Sequence, residues 1–182
     1  MTKPTVTGIL ILMLSGTVSS VAQERVAINL ITHSQVEIAR QPTAIWPRIV
    51  DPSGWKQGLR LVRHAGPQGK AGEVFAAVDP AKAGPPAFFA ENVELVPNQR
   101  RTIKLTSPSG TLIGFATWTL QEAGGRTVVA YDVYSETLLT PDQAKGMSAQ
   151  AIAAQAREGY ATNKKRFDAE LLALKRLVES ER

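Results

Sequence analysis

The sequence predicts an α+β domain, on three observations. Six runs of strand-like residues follow one another between Gly58 and Leu139, separated by stretches rich in Gly, Pro, Asn and Ser. A first strand and a short helical segment precede them, and a long run of good helix formers with an apolar stripe closes the chain. Strands in succession followed by one helix make an α+β pattern, whereas parallel strands would need crossovers of a dozen or more residues between them. At 182 residues the chain is long enough for one domain with a sizeable core and short for two.

The chain opens with MTKPTVTGILILMLSGTVSSVAQ. Lys3 in a short polar start, an apolar run from Gly8 to Leu14 and small residues at Ser20 and Ala22 read as a secretory signal cleaved after Ala22. The apolar run is far shorter than the ~20 residues that a membrane-spanning helix needs. The alternative is an N-terminal helix kept as an uncleaved anchor. On the first reading residues 1–22 are a signal peptide, residues 23–182 form the folded domain, and the protein is exported to the periplasm or secreted with no stable membrane span.

From Thr32 to Arg40 the run THSQVEIAR alternates, placing Val36 and Ile38 on one side of a strand. Pro42 suits a helix start, because its missing N–H has no partner to lose in the first turn. Ile45, Trp46 and Ile49 then form one stripe of a short helix that Pro47 can bend, and Asp51 to Gly54 make a turn before Trp55. The six following strands are GLRLVRHA, AGEVFAAV, FFAENVELV, RRTIKLTS, TLIGFATWTLQ and RTVVAYDVYSETLL, so the sheet has seven strands and reads as an antiparallel meander. After Leu139, Thr140 is an N-cap with Pro141 at the first helical position. Phe167, Leu171, Leu174 and Val178 step by helical intervals while Lys164, Lys165, Glu170, Lys175 and Arg176 fill much of the remaining surface. An unbroken helix from Pro141 to Glu181 would be ~60 Å long, about twice a small domain's diameter, so a break is expected near Gly146 or Gly159. A strongly twisted sheet needs its apolar face covered, and only the terminal helix is long enough to cover it. The sheet is therefore expected to curl around that helix and to leave an elongated apolar cavity of the kind that takes small ligands.

Composition narrows the chemistry. There is no Cys and there are two His, which excludes disulfide scaffolds, thiolate zinc sites and Cys nucleophiles and leaves no expected metal or cofactor. No Gly-rich phosphate loop appears. The 21 basic and 16 acidic residues are scattered along the chain, which gives a mildly basic surface with net charge +5.

The order of elements, together with VEIARQPTAIWPRIVDPSGW, FFAENVELVPNQRRTIKL, GTLIGFATWTLQEAGGRTVVAYDV and FDAELLALKRLVE, resembles the START-like SRPBCC superfamily. That superfamily includes polyketide cyclase/dehydrase and lipid-transport proteins and has the helix-grip fold. The resemblance runs from about Thr32 to Glu179. It implies a curved seven-stranded antiparallel sheet around a long C-terminal helix, with short helices after the first strand. It leaves the activity open, because one fold hosts many functions. The chain departs from the family pattern in its signal and in a longer Gln143 to Gly159 lead into the last helix.

Trp46, Phe75, Trp118, Tyr131 and Phe167 are the candidate lining of a cavity for an apolar ligand, and equally aromatics that fill a core. On the sixth strand Leu112, Gly114, Ala116, Trp118 and Leu120 share one face, and the small residues leave room for something to approach the sheet. Val129, Tyr131 and Val133 form the inward set of the seventh strand, with Asp132 and Tyr134 outward. His64 and His33 can act near neutral pH, but each lacks a carboxylate or nucleophile in a recognisable motif, so a structural or exposed role is the plainer reading. Asp51 reads as a turn cap. Glu91, Glu94, Asp132 and Glu136 read as solvated acids. Arg100, Arg101 and Lys104 form a basic hairpin patch without the interleaved aromatics that single-stranded nucleic acid requires, and Lys164 to Arg166 read as a solvated helical face. No catalytic residue is assigned. The expected function is binding of a hydrophobic or amphipathic small molecule or lipid, with no nucleic-acid partner; the alternatives are a polyketide cyclase/dehydrase-like enzyme using His64 or Tyr131, and a protein-interaction domain with a vestigial cavity.

Overall fold

The structure, a computed structural model, describes residues 27–52, 56, 58, 60–82 and 84–181. The signal segment read over residues 1–22 and the turn residues up to Trp55 from Ser53 lie outside them. Strand β1 (Ala27–Ile38) alternates along its whole length, with Thr32, Ser34 and Ile38 buried and His33, Gln35 and Glu37 exposed. It begins five residues before Thr32, because Ile28 and Leu30 continue the inward set and β7 supplies backbone partners from Ala27 onward. Helix α1 (Pro42–Val50) has Pro42 in its first turn and buries Ile45 and Ile49, while Trp46 packs partly buried against the same core.

Strands β2 (Arg60–Ala65), β3 (Val74–Val78), β4 (Phe88–Val96), β5 (Arg100–Thr106), β6 (Leu112–Ala123) and β7 (Arg126–Leu138) run as an antiparallel meander. β1 adds to β7, so the sheet order is β1-β7-β6-β5-β4-β3-β2, with seven strands. This is the predicted fold class. Two irregularities bear on the concave face. Asn92 pairs with Ile103 and Glu94 with Thr102, which leaves Val93 as an extra residue in β4. Leu105 pairs with Gly114 and Thr106 with Leu112, which makes Ile113 the extra residue of β6. Bulges of this kind bend the strand and re-aim its side chains.

At the C-terminal end Thr140 caps α2 (Pro141–Ala144) reciprocally: its hydroxyl accepts from the Gln143 N–H at 3.2 Å and its own N–H donates to the Gln143 side chain at 2.9 Å. The chain breaks at Gly146, whose φ of 83° suits a residue without Cβ. It restarts with Ser148 accepting from the Ala151 N–H at the head of α3 (Ala149–Ser180). Of the two glycines at which a break is expected, Gly146 makes it and Gly159 stays inside α3. α3 lies against the concave face of the sheet through Phe167, Leu171, Leu174 and Val178, each at most 2% exposed, which meet Ile38, Ile45, Ile49, Trp118 and Val129 in one core cluster. No helix among the described residues is long and apolar enough to cross a membrane.

Candidate functional site

The concave face is ordered in cross-strand rows. Arg101, Trp118, Tyr131 and Ser34 are register neighbours across β5, β6, β7 and β1. The next row is Ile103, Ala116, Val133 and Thr32. Beyond it lie Leu105 and, turned inward by its bulge, Ile113. In the middle of the face Ala90 and Ala116 offer only methyl groups toward α3, whereas Trp118, Tyr131 and Phe167 fill the space at one end. The result is a cavity of about 480 Å³ between the sheet and α3, within the range of small-molecule sites.

The two ends of this cavity differ chemically. Toward the Leu30 and Leu105 end the walls carry aliphatic side chains with the neutral polar groups of Ser135, Thr137 and Asn163 and, among the described residues, no charge. At the other end the Trp118 and Tyr131 rings stack at 4.6 Å, and Phe167 meets Tyr131 edge-on at 5.0 Å. Polar groups gather on this aromatic block. Lys56 donates to the Tyr131 hydroxyl at 3.2 Å, stands 3.6 Å from Glu170, and lies over both rings at 5.3 to 5.4 Å. Burial presses its ammonium toward the neutral form, but Tyr131 and Glu170 outweigh that and hold Lys56 above its ordinary 10.5.

Arg101 is 1% exposed. Its Nε donates to the Asn92 side chain at 2.8 Å, and its Nη1 donates to the carbonyls of Ile49 and, at 3.0 Å, Val50. It thus satisfies carbonyls at the C-terminus of α1, where a cation also complements the helix dipole. Among the described residues its Nη2 has no hydrogen-bond partner, and neither does the Trp118 Nε1. Burial lowers the Arg101 pKa to about 10, against the opposing pull of Glu73, Tyr131 and Asp51. The guanidinium therefore stays charged at neutral pH. The third cation of the wall is Arg166, exposed on α3 with its guanidinium 4.6 Å from the Phe167 ring.

Of the residues singled out from sequence, the structure brings Trp118, Tyr131 and Phe167 together on the cavity wall. Trp46 does not line it; on α1 it packs against the core instead. Phe75 does not line it either, and its ring lies 5.8 Å from the Arg101 guanidinium. Gly114 leaves no room for a ligand: a Cβ there would collide with the backbone carbonyl oxygen of Tyr134 on β7, so the space is taken by the neighbouring strand. Ala116 does line the cavity. His33 has the carboxylate that no motif announced, bonding Asp132 at 2.7 Å across the exposed face of β1 and β7, away from the cavity. His64 is exposed beside Phe89.

Sequence reasoning missed Lys56, Arg101, Arg166 and Glu170 as wall residues. Two of them carried a readable signal. Arg101 is two residues before Ile103 and four before Leu105, hence on their face by strand period. Glu170 is three after Phe167 and four before Leu174, hence in the apolar seam of α3 and not on the wet surface. The basic patch read over Arg100, Arg101 and Lys104 is divided by the structure: Arg101 is buried, while Arg100 pairs with Glu94 and Lys104 with Glu91 on the outer surface.

No protein-family model matches the sequence, and comparison with curated proteins finds no match. Solved structures do match. A Staphylococcus aureus protein of unknown function superposes with a TM-score of 0.64 at 12% identity, over 84% of this chain and 96% of the other. The aromatase/cyclase Zhui from a Streptomyces species superposes with 0.61 at 13% identity, over 83% and 94%. The chain has the START-like helix-grip fold. A di-domain aromatase/cyclase of the steffimycin pathway carries the same helix-grip architecture, with a TM-score of 0.57 at 13% identity over 85% of this chain and 51% of that one. At such identities the likeness is one of fold, and the resemblance to the START-like SRPBCC superfamily stands at that level. In this helix-grip domain the grip is open enough to hold a ligand-sized hollow.

Proposed function

We propose that the protein binds an amphipathic small molecule in the hollow between its sheet and α3. The observation that carries this is the cavity of about 480 Å³ with mostly apolar walls and its charged groups gathered around Trp118 and Tyr131. Exclusion of water from the apolar walls supplies the affinity and the polar end fixes the orientation. The pattern of residues 1–22 supports a place of action outside the cytoplasm, as an exported carrier or receptor. A filled interior would have favoured an interaction domain, and the hollow speaks for binding.

A second reading is an enzyme of the polyketide cyclase/dehydrase kind. It is favoured by the connected set Glu170, Lys56 and Tyr131, in which the Tyr131 hydroxyl sits at the cavity wall within 3.2 Å of the Lys56 ammonium. Such a set can hold or move a proton at the phenolic oxygen beside a bound carbonyl compound. Titration of the full chain with the neutral dye Nile red tests the first reading: saturable binding with one dye per chain and a blue-shifted emission is expected, and absence of saturable binding refutes it. Native mass spectrometry of protein purified from its own host separates the two, since a carrier retains an unchanged molecule whereas an enzyme converts an added aromatic polyketide-like substrate.

A further inference from the structure

The polar end of the cavity is unbalanced. Among the described residues its wall presents three cations, Lys56, Arg101 and Arg166, and one carboxylate, Glu170. Glu170 faces Lys56 at 3.6 Å, with its Oε2 accepting no hydrogen bond among the described residues. No carboxylate among the described residues forms an ion pair with Arg101. Glu73, which acts on Arg101 through space, is itself held by Arg63 at 3.2 Å and by the Gly69 N–H at 2.8 Å, and neither it nor Asp51 lines the cavity. A buried guanidinium satisfied by carbonyl dipoles and one amide, with an Nη2 donor left over, carries an uncompensated desolvation cost. The adjacent Trp118 Nε1 is a second buried donor without a partner among the described residues, on the residue paired with Arg101 across the strands. Both residues line the cavity, and what they lack is an acceptor.

Resting on the reading of the hollow as a small-molecule site, we infer that its ligand is an anion: an amphipathic carboxylate whose head lies among Arg101, Trp118 and Lys56. The tail would run along Ile103, Ala116 and Val133 toward Leu30 and Leu105. From Trp118 to Gly114, the register partner of Leu105, the strand advances about 14 Å at ~3.4 Å per residue, which sets the scale of that tail. A carboxylate can accept from the spare Arg101 donor and from the indole while the Lys56 ammonium faces it. These charge-assisted bonds outweigh what a hydroxyl of equal chain length can make. Arg166, on α3, adds positive potential on the way in. An ammonium-headed ligand would meet like charge throughout.

The test is competition against bound Nile red with sodium decanoate, decanol and decylammonium chloride on the full chain at neutral pH. Decanoate is expected to displace the dye at about tenfold lower concentration than decanol, with decylammonium weakest. Lys56→Met, which removes no backbone hydrogen bond, is expected to shrink the preference for decanoate over decanol several-fold, read as the ratio of the two displacing concentrations. Arg101→Lys, with one fewer fork of donors, should do the same if the chain remains folded by circular dichroism. If decanol matches or surpasses decanoate while Nile red is still bound, the anion inference falls and the cavity reading stands. If the preference is unchanged in Lys56→Met, the head does not lie at this end and the inference is likewise overturned. If Nile red itself does not bind, the failure belongs to the cavity reading.

Discussion

Arg100 and Arg101 are adjacent and chemically alike, yet the side chain of the first is 51% exposed beside Glu94 while the second is 1% exposed beneath α1. The strand's period of two separates them, and the carbonyls of Ile49 and Val50 make the inward position tolerable for a charge. Two glycines show the same dependence on surroundings. Gly114 faces the backbone of β7 so closely that Gly114→Ala requires the strands to part, and we expect a loss of at least ~3 kcal/mol in urea unfolding, or no folded protein. Gly159 faces the flexible end of Leu30, where an added Cβ would sit 3.0 Å from Cδ1. Leu30 borders the hollow and can yield into it, so Gly159→Ala should stabilise by about 0.5 kcal/mol through helix propensity in the same measurement. From the sequence, Gly114 reads as room to approach the sheet and Gly159 as a candidate break in the helix. What separates them is which atom lies opposite, and periodicity carries no information about that.

The seam between α3 and β1 is held at its C-terminal end by polar clasps. The Glu179 carboxylate accepts from the Ala39 N–H at 2.8 Å, and Lys175 donates to the Glu37 carbonyl at 2.6 Å. The Ala39 bond, aided by Lys175 and Arg40 against a small burial penalty, holds the Glu179 pKa below its ordinary 4.5. A carboxyl with a depressed folded pKa contributes stability that is present above its unfolded value and is lost as pH falls through the folded one. Below about pH 4.5 the clasp should therefore release progressively, seen as a falling protection factor of the Ala39 amide relative to its intrinsic exchange at each pH. Glu179→Gln should remove the pH dependence of that amide while the buried Leu171, Leu174 and Val178 keep the helix in place. The existence and order of these elements were legible in the chain, because each strand alternates and α3 keeps its seam. The early start of β1 and the inward turn of Ile113 were not. The first depends on a partner strand more than a hundred residues away, and the second on an extra residue that resets the alternation within β6.

Taken together, sheet and helix make a clamp that does not close completely, and the gap is set by small residues. Ala116 is 1% exposed and lies midway along the hollow, so Ala116→Leu should fill part of it. Nile red binding is expected to fall about tenfold or more while the unfolding temperature stays level or rises, as when an apolar void is occupied. A ligand site and a stable fold thus compete for the same volume. The hollow's existence followed from the order of strands and helix, and three of its aromatics, Trp118, Tyr131 and Phe167, could be named from the chain alone. Its charge was legible only in part, through the periods that turn Arg101 and Glu170 inward. Lys56 sits in a loop, where no period predicts direction, and Arg166 reads as one more exposed base until α3 is laid against the sheet.

Trp118 is packed flat on Tyr131, with its indole N–H unbonded and two cations within 5.8 Å of the ring. An excited indole is sensitive to each of these neighbours, so its emission colour and lifetime should respond when a guest settles beside it. The molecule carries a built-in optical gauge, and occupancy can be followed on the purified, unlabelled protein.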